Sequence, residues 1–292
     1  MHQYLRAVGF SNIRTKSELK DLMNDVLVNS SSKDFLKTTE ENMIVEYSKK
    51  YSSSAGLCLM GEYDDEEKLT LDYYYPFVVA HNVSTDEEIS IERHTSNESY
   101  AGACEDYRVG VTLIFYVQNG LEARKKLIAD PNCQEKTTTS FSGLSINGTI
   151  LFPIKKNAEE KAKIKKAVQE RTERIVAAKK GDEEAMEKLT IEDIDTYSAL
   201  SKRILKEDVF SLVDSYFMPY GMECDHYSIL GEIEEVSLET NYLTEEKIYI
   251  LDVNCNGLPV TVGINEQDLV GEPKVGRRFR GNVWLQGLVT TI

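Results

Sequence analysis

Apolar residues recur along this chain with two different periods, and the changeovers divide it into segments. Leu19, Leu22, Met23, Val26 and Leu27 fall at helical spacing behind Ser17, a predicted N-cap. They predict an amphipathic helix over 17–28 that stops at Asn29-Ser30-Ser31-Ser32. Residues 1–12 are mixed and suit a short strand or turn. From Met43 to Pro153 the period is two. MIVEY, AGLCLMGEYD, KLTLDYYYPFVVAHN, EISIERHT, YRVGVTLIFYVQN and INGTILFPI read as strands between charged or Ser/Gly-rich breaks. Short loops between successive strands predict an antiparallel sheet, interrupted by one helix from Leu121 that ends before Asp130-Pro131.

Near Asn157 the composition turns to Ala, Glu and Lys. Ile164, Ala167, Val168, Arg171 and Ile175 mark one face of a helix stopped by Gly181. Asp182 caps a second, Thr190 with Asp193 opens a third, and a fourth runs from Glu207 to Phe217 before Pro219. The remainder reads as five strands, 227–233, 247–255, 258–264, 277–285 and 288–292. Asn256-Gly257 forms a tight hairpin turn, and a single helical turn lies over 265–269. Three strands, a helical turn and two strands is the order of a small OB-like barrel. The expected class is α+β: an N-terminal antiparallel sheet with one or two helices over 1–155, a helical connector over 156–221 and a small OB-like β-barrel over 222–292.

Charge narrows the choice of partner. The net −15 comes from 15 basic against 23 acidic residues in 1–154, 14 against 14 in 155–220, and 5 against 12 in 221–292. Acidic β-rich ends repel phosphate backbones and anionic headgroups, which argues against nucleic acid and membrane. The longest uncharged apolar run, Gly110 to Val117, is too short to span a bilayer as a helix. Arg6 falls where a signal peptide needs an apolar stretch. Five cysteines without a CxxC pair fit reduced thiols. The expected location is the cytoplasm, and the Asn-x-Ser/Thr sites at Asn82, Asn97 and Asn147 are read as chance matches.

Candidate chemistry is sparse. Phosphate-loop, dinucleotide, HExxH, GxSxG and EF-hand patterns are missing. Glu92 and His94 alternate onto one strand face, where Glu105 or Asp106 could complete an acid–base or metal site; the plainer reading is a solvated strand end. Cys224-Asp225-His226 holds zinc-type ligands without a second half-site nearby, so no metal and no cofactor are expected. Tyr73 and Tyr75 share a face and would suit stacking, although the plainer reading is a central strand buried on both sides. The lysines between Lys155 and Lys166 are interleaved with glutamates, as on a solvated helix. Tyr249, Trp284 and Arg277, with Arg278 and Arg280, could line a single-stranded nucleic-acid face on the barrel, against the barrel's own negative charge.

Three stretches carry a resemblance: MHQYLRAVGF at the start, EDVFSLVDSYFMPYGMECDHYSILG from Glu207, and CNGLPVTVGINEQDLVGEPKVGRRFRGNVWLQG from Cys255. Together they resemble a family of clostridial proteins known as a domain of unknown function. The resemblance covers essentially the whole length and implies a cytoplasmic bacterial protein, without any activity, cofactor or site residue. The leading expectation is a non-catalytic module that binds a protein partner or small ligand through the barrel or its junction with the helices. The rivals are an enzyme using the Glu92/His94 cluster and a nucleic-acid-binding barrel.

Overall fold

The computed structural model describes residues 2–37, 43–93, 99–129, 137–154, 166–167, 170–171, 173–178, 180–192 and 213–291. Where a short strand or turn is expected over 1–12, the structure has a 3-10 helix, Gln3–Val8. Helix α1 is Lys16–Val28. Its cap is Thr15, not Ser17: the Thr15 hydroxyl accepts from Glu18 N–H while the Glu18 carboxylate accepts from Thr15 N–H. Strands β1 (Ser32–Lys37), β2 (Met43–Lys50), β3 (Ala55–Tyr63) and β4 (Leu69–Val78) form an antiparallel sheet in that order. The inner strand β3 is buried on both faces from Ala55 to Gly61, which explains its unbroken apolar run. Leu22 and Val26 of α1 join the same core.

The second sheet is larger and mixed. It contains β5 (Ile89–Arg93), β6 (Tyr100–Asp106), β7 (Val111–Val117), β8 (Thr137–Leu151), β9 (Tyr216–Pro219), β10 (His226–Thr240), β11 (Lys247–Cys255), β12 (Leu258–Asn265), β13 (Leu269–Val270) and β14 (Arg278–Thr291). Helix α2, Gly120–Ala129, follows β7 as expected. The expected strand beginning at Tyr107 starts instead at Val111, because Tyr107–Gly110 is the turn that joins β6 to β7. The hairpin at Asn256-Gly257 is present, with φ of 56° and 88°.

Two expectations for the C-terminal strands change. Residues 277–285 and 288–292 are not two strands: β14 runs unbroken through both, with an irregularity at Gly281/Val283. The fifth place is taken by β8, from the other side of the connector. β8 pairs in parallel with β12 and antiparallel with β14, so the ladders β8–β12–β11–β10–β14–β8 form a circuit. One sheet therefore runs across the expected boundary at residue 155.

The connector falls mostly outside the described residues, including residues 193–204 of the expected third helix. Residues 183–192 are helical, with the Asp182 carboxylate accepting from Ala185 N–H. Thr190 does not open a new helix; it lies inside this one and donates to Met186 O. The end of the expected helix 207–217 is strand β9 instead, paired with β10.

Buried amides join the two sheets. Gln286 of β14 donates to Pro76 O of β4 at 2.9 Å, and Gln118 after β7 donates to Val78 O at 2.9 Å and Gln286 Oε1 at 2.7 Å. The circuit itself is tight where β10 meets β11. A Cβ on Gly231 would lie 2.4 Å from Asn254 O and 2.7 Å from Cys255 Sγ, both fixed in the neighbouring strand. Gly231→Ala is expected to lower stability by about 1–3 kcal/mol through this overpacking; equilibrium denaturation with an unchanged midpoint would contradict the packing described.

Candidate functional site

The site grows from strand alternation. Tyr75 of β4 lies opposite Cys58 and Tyr73 opposite Met60, while Met60 also faces Glu46 across β3–β2. One face of the small sheet thus carries Glu46, Cys58, Met60, Tyr73 and Tyr75. Tyr116 of β7 closes over it: its ring lies 4.7 Å from Tyr75 and its hydroxyl donates to Tyr73 Oη at 3.3 Å. The Tyr75 hydroxyl donates to Gln118 O at 2.8 Å.

From Tyr116 the rings continue to Trp284 of β14 at 5.4 Å. Tyr4 stacks on Trp284 at 5.6 Å, and His2 lies 4.8 Å from it. Tyr4 in turn lies 5.6 Å from His226, the first residue of β10, which is in register with Trp284 across β10–β14. His2 N–H donates to the Tyr74 hydroxyl at 2.8 Å, securing the chain start to β4. An aromatic path therefore leads from the small sheet to the beginning of β10.

Asp225 controls the far end. Its Oδ2 accepts from Trp284 Nε1–H at 2.7 Å, and its Oδ1 lies 2.9 Å from His226 Nδ1. Burial works against the charged carboxylate, yet the bonds from His226 and Trp284 hold its pKa below the usual aspartate value. An ionised carboxylate only accepts, so Nδ1 of His226 carries a proton, and in the neutral ring Nε2 is then an acceptor. That Nε2 is buried and has no hydrogen-bond partner among the described residues. Burial above all pushes His2 down to about 4. Burial likewise raises the phenols of Tyr4, Tyr73, Tyr75 and Tyr116. At the near end, burial and then the Asp34 charge push Glu46 up to about 7, with Lys125 acting in the opposite sense.

The structure gathers Tyr73, Tyr75 and Trp284 from the sequence candidates, but in a buried stack rather than on an open platform. Tyr249 packs with the other hydrophobic cluster, inside the large sheet, away from the cluster that holds Trp284. Arg277 precedes β14; it donates to Glu272 O at 2.7 Å, and its guanidinium lies 5.4 Å from the Phe152 ring. The acidic set is not brought together either. Glu92 pairs opposite Ala101, so it shares the exposed face of β5–β6 with Glu105, about 13 Å along the ladder. Asp106 points to the opposite, buried face and is paired with Arg108 at 2.5 Å. His94 lies outside the described residues, as do most of the lysines between Lys155 and Lys166. Cys224 is exposed, and no group of three metal-type side chains occurs among the described residues. Sequence reasoning noticed Asp225 and His226 only as zinc-type ligands, and passed over His2, Tyr4 and Tyr116, which no local pattern links to Trp284.

The described residues are mostly strand, in a small antiparallel sheet and a large mixed sheet. The family model described as "Domain of unknown function, E. rectale Gene description (DUF3881)" matches residues 5–287, and the chain belongs to that family. The resemblance read from the sequence is thereby borne out. Comparison with curated proteins and with solved structures gives no match. Among the described residues no helix is long and apolar enough to cross a membrane.

The two perturbed ends affect stability in opposite senses. The folded pKa of Glu46 is raised, so its contribution favours folding at low pH and is lost as pH rises from 4.5 through about 7. The folded pKa of His2 is depressed, so protonation of this group opposes folding as pH falls from 6.5 towards 4. Glu46→Gln isolates the first effect. Urea denaturation should show the variant gaining up to roughly 3 kcal/mol over wild type at pH 8 and nothing at pH 4.5; a gap independent of pH would contradict the burial of this carboxyl.

Proposed function

We propose that this chain is a small-ligand-binding module whose ligand is anchored by the bare Nε2 of His226. One observation carries the reading: the buried Nε2 of His226, whose Nδ1 is held by Asp225, has no partner among the described residues and lies beside the stacked rings of Tyr4 and Trp284. An unmet buried acceptor is costly unless something donates to it. The complementary ligand is a planar group with an N–H or O–H donor at its edge, stacking on the aromatic side chains while donating to Nε2. The site adjoins the β9–β10 turn, where Tyr220 N–H donates to His226 O at 2.9 Å.

A protein partner is the second reading, favoured by Met218, Tyr220 and Met222, which stand exposed around the β9–β10 turn. We further infer that the strand circuit closes as a small OB-like barrel with β8 in the fifth place, on the support of its single parallel step between β8 and β12. Nucleic acid has weaker support, because Tyr249 and Trp284 belong to different clusters. A cytoplasmic setting is supported by the free state of Cys58, Cys104, Cys224 and Cys255.

Trp284 is the only tryptophan, so its emission reports directly on the site. Benzamide, nicotinamide and adenine, each with an N–H donor on a planar frame, are expected to change that emission saturably, and benzoate at neutral pH is not. His226→Phe should abolish the response to the donors. Linear, non-saturating changes for all four compounds, or equal responses from the variant, would remove the proposed anchor.

A further inference from the structure

A second polar constellation lies away from the aromatic path, where the β2–β3 turn meets β10, β11 and β12. Ser54 ends that turn. Its Oγ stands 3.4 Å from Nε2 of His81, in the loop after β4, and His81 Nδ1 stands 3.0 Å from Asp252 Oδ2 on β11. Asp252 is buried, and its Oδ1 accepts from the Thr261 hydroxyl at 2.7 Å. The Asn82 amide reaches Oδ2 at 3.4 Å. Thr261 Oγ also accepts from His81 N–H at 3.0 Å, so one residue positions both the carboxylate and the histidine backbone. The His81 side chain is 34% exposed, which leaves the imidazole open to solvent from one side while its partners are covered.

The order hydroxyl, imidazole, buried carboxylate recurs around activated serines on unrelated folds and in different chain orders. The carboxylate keeps Nδ1 protonated, Nε2 faces Oγ, and the imidazolium formed during reaction is stabilised by Asp252. Chain order here is Ser54, His81, Asp252, drawn from three separate elements, so no short sequence pattern announces it. Glu239 of β10 is the competing neighbour. It accepts from Ser54 N–H at 2.9 Å and from the Ser54 hydroxyl at 2.8 Å, so the hydroxyl must rotate from Glu239 to His81 before reaction.

We propose that Ser54 is an activated nucleophile for acyl transfer, acting on small, accessible esters with His81 as general base and Asp252 as its positioning residue. In the first step Ser54 Oγ bonds to the ester carbonyl carbon while its proton passes to His81 Nε2. The tetrahedral intermediate collapses, the carbon–alkoxy bond breaks, and His81 returns the proton to the departing alcohol. Water then attacks the acyl-serine through the same imidazole, releasing the carboxylic acid and restoring Ser54. This goes beyond ligand binding at His226 and uses none of its residues.

The direct test is a fluorophosphonate, which forms a stable adduct only with activated serines, applied to the full-length protein at pH 8 and followed by peptide mass spectrometry. The expected result is stoichiometric modification of Ser54. The rate should rise with pH across a single titration. His81→Gln should slow modification at least ~100-fold and abolish that pH dependence. Asp252→Asn should slow it and displace the titration, a change that lost packing alone would not produce. Glu239→Gln, which removes the competing carboxylate, should leave the rate unchanged or raise it. An unmodified Ser54 in the wild-type protein would overturn the proposal without recourse to any variant. Labelling of Ser54 that is indifferent to His81→Gln, or lost in a folded Glu239→Gln, would also overturn it by removing His81 as the base.

Discussion

Strand β8 has two neighbours that the local sequence could not assign to it, and most of the molecule depends on that fact. Its residues Phe141–Ser145 lie parallel to Val260–Ile264, while the same strand runs antiparallel to β14 from Leu151 back to Thr137. A strand so placed connects β12 to β14 through its two ladders. It also fixes β14, which holds Trp284 and Gln286 at the seam with the small sheet. Gln286 then ties that sheet down through Pro76, and Gln118 does so through Val78. Losing the β8 pairings would unseat both the seam and the aromatic path across it.

Seam and site share one physical tension. Covering a small sheet with a larger one removes Glu46, His2, Asp225 and four tyrosines from water, and burial opposes the charge on each. Asp225 keeps its charge because two donors are aimed at it, His2 does so only in acid, and Glu46 lies between. His226 is the exception: one ring nitrogen is satisfied by Asp225 and the other by nothing described. Folding alone gives no reason to leave that acceptor bare, which is why the ligand reading centres on it. The Ser54–His81–Asp252 arrangement differs in kind, since all its members have partners and the question there is which acceptor takes the serine proton.

What was legible in the chain was local. Alternation marked β2 and β4, an unbroken apolar run marked β3, and Asn256-Gly257 identified the hairpin because a tight turn needs left-handed backbone at both positions. The family was legible as well. The fifth strand of the circuit was not, because a parallel pairing between residues 141–145 and 260–264 leaves no periodicity to read. Tyr216 and Phe217, read as the end of a helix, belong instead to a strand paired with the edge of β10. Of the site, Tyr73, Tyr75 and Trp284 drew notice as aromatic residues. His2 and Tyr4 could not, since they reach Trp284 from the opposite end of the chain, and Ser54, His81 and Asp252 meet only through the sheet packing.

The tautomer of His226 tests the central claim most directly. Long-range proton–nitrogen correlation NMR on histidine-labelled protein at neutral pH distinguishes a protonated ring nitrogen from a bare one. The account predicts a proton on Nδ1 and a bare Nε2, with the Nδ1–H tautomer lost in Asp225→Asn. A proton on Nε2 in the wild-type protein would contradict it, because the buried nitrogen would then be a donor and the ligand chemistry inferred from it would be reversed.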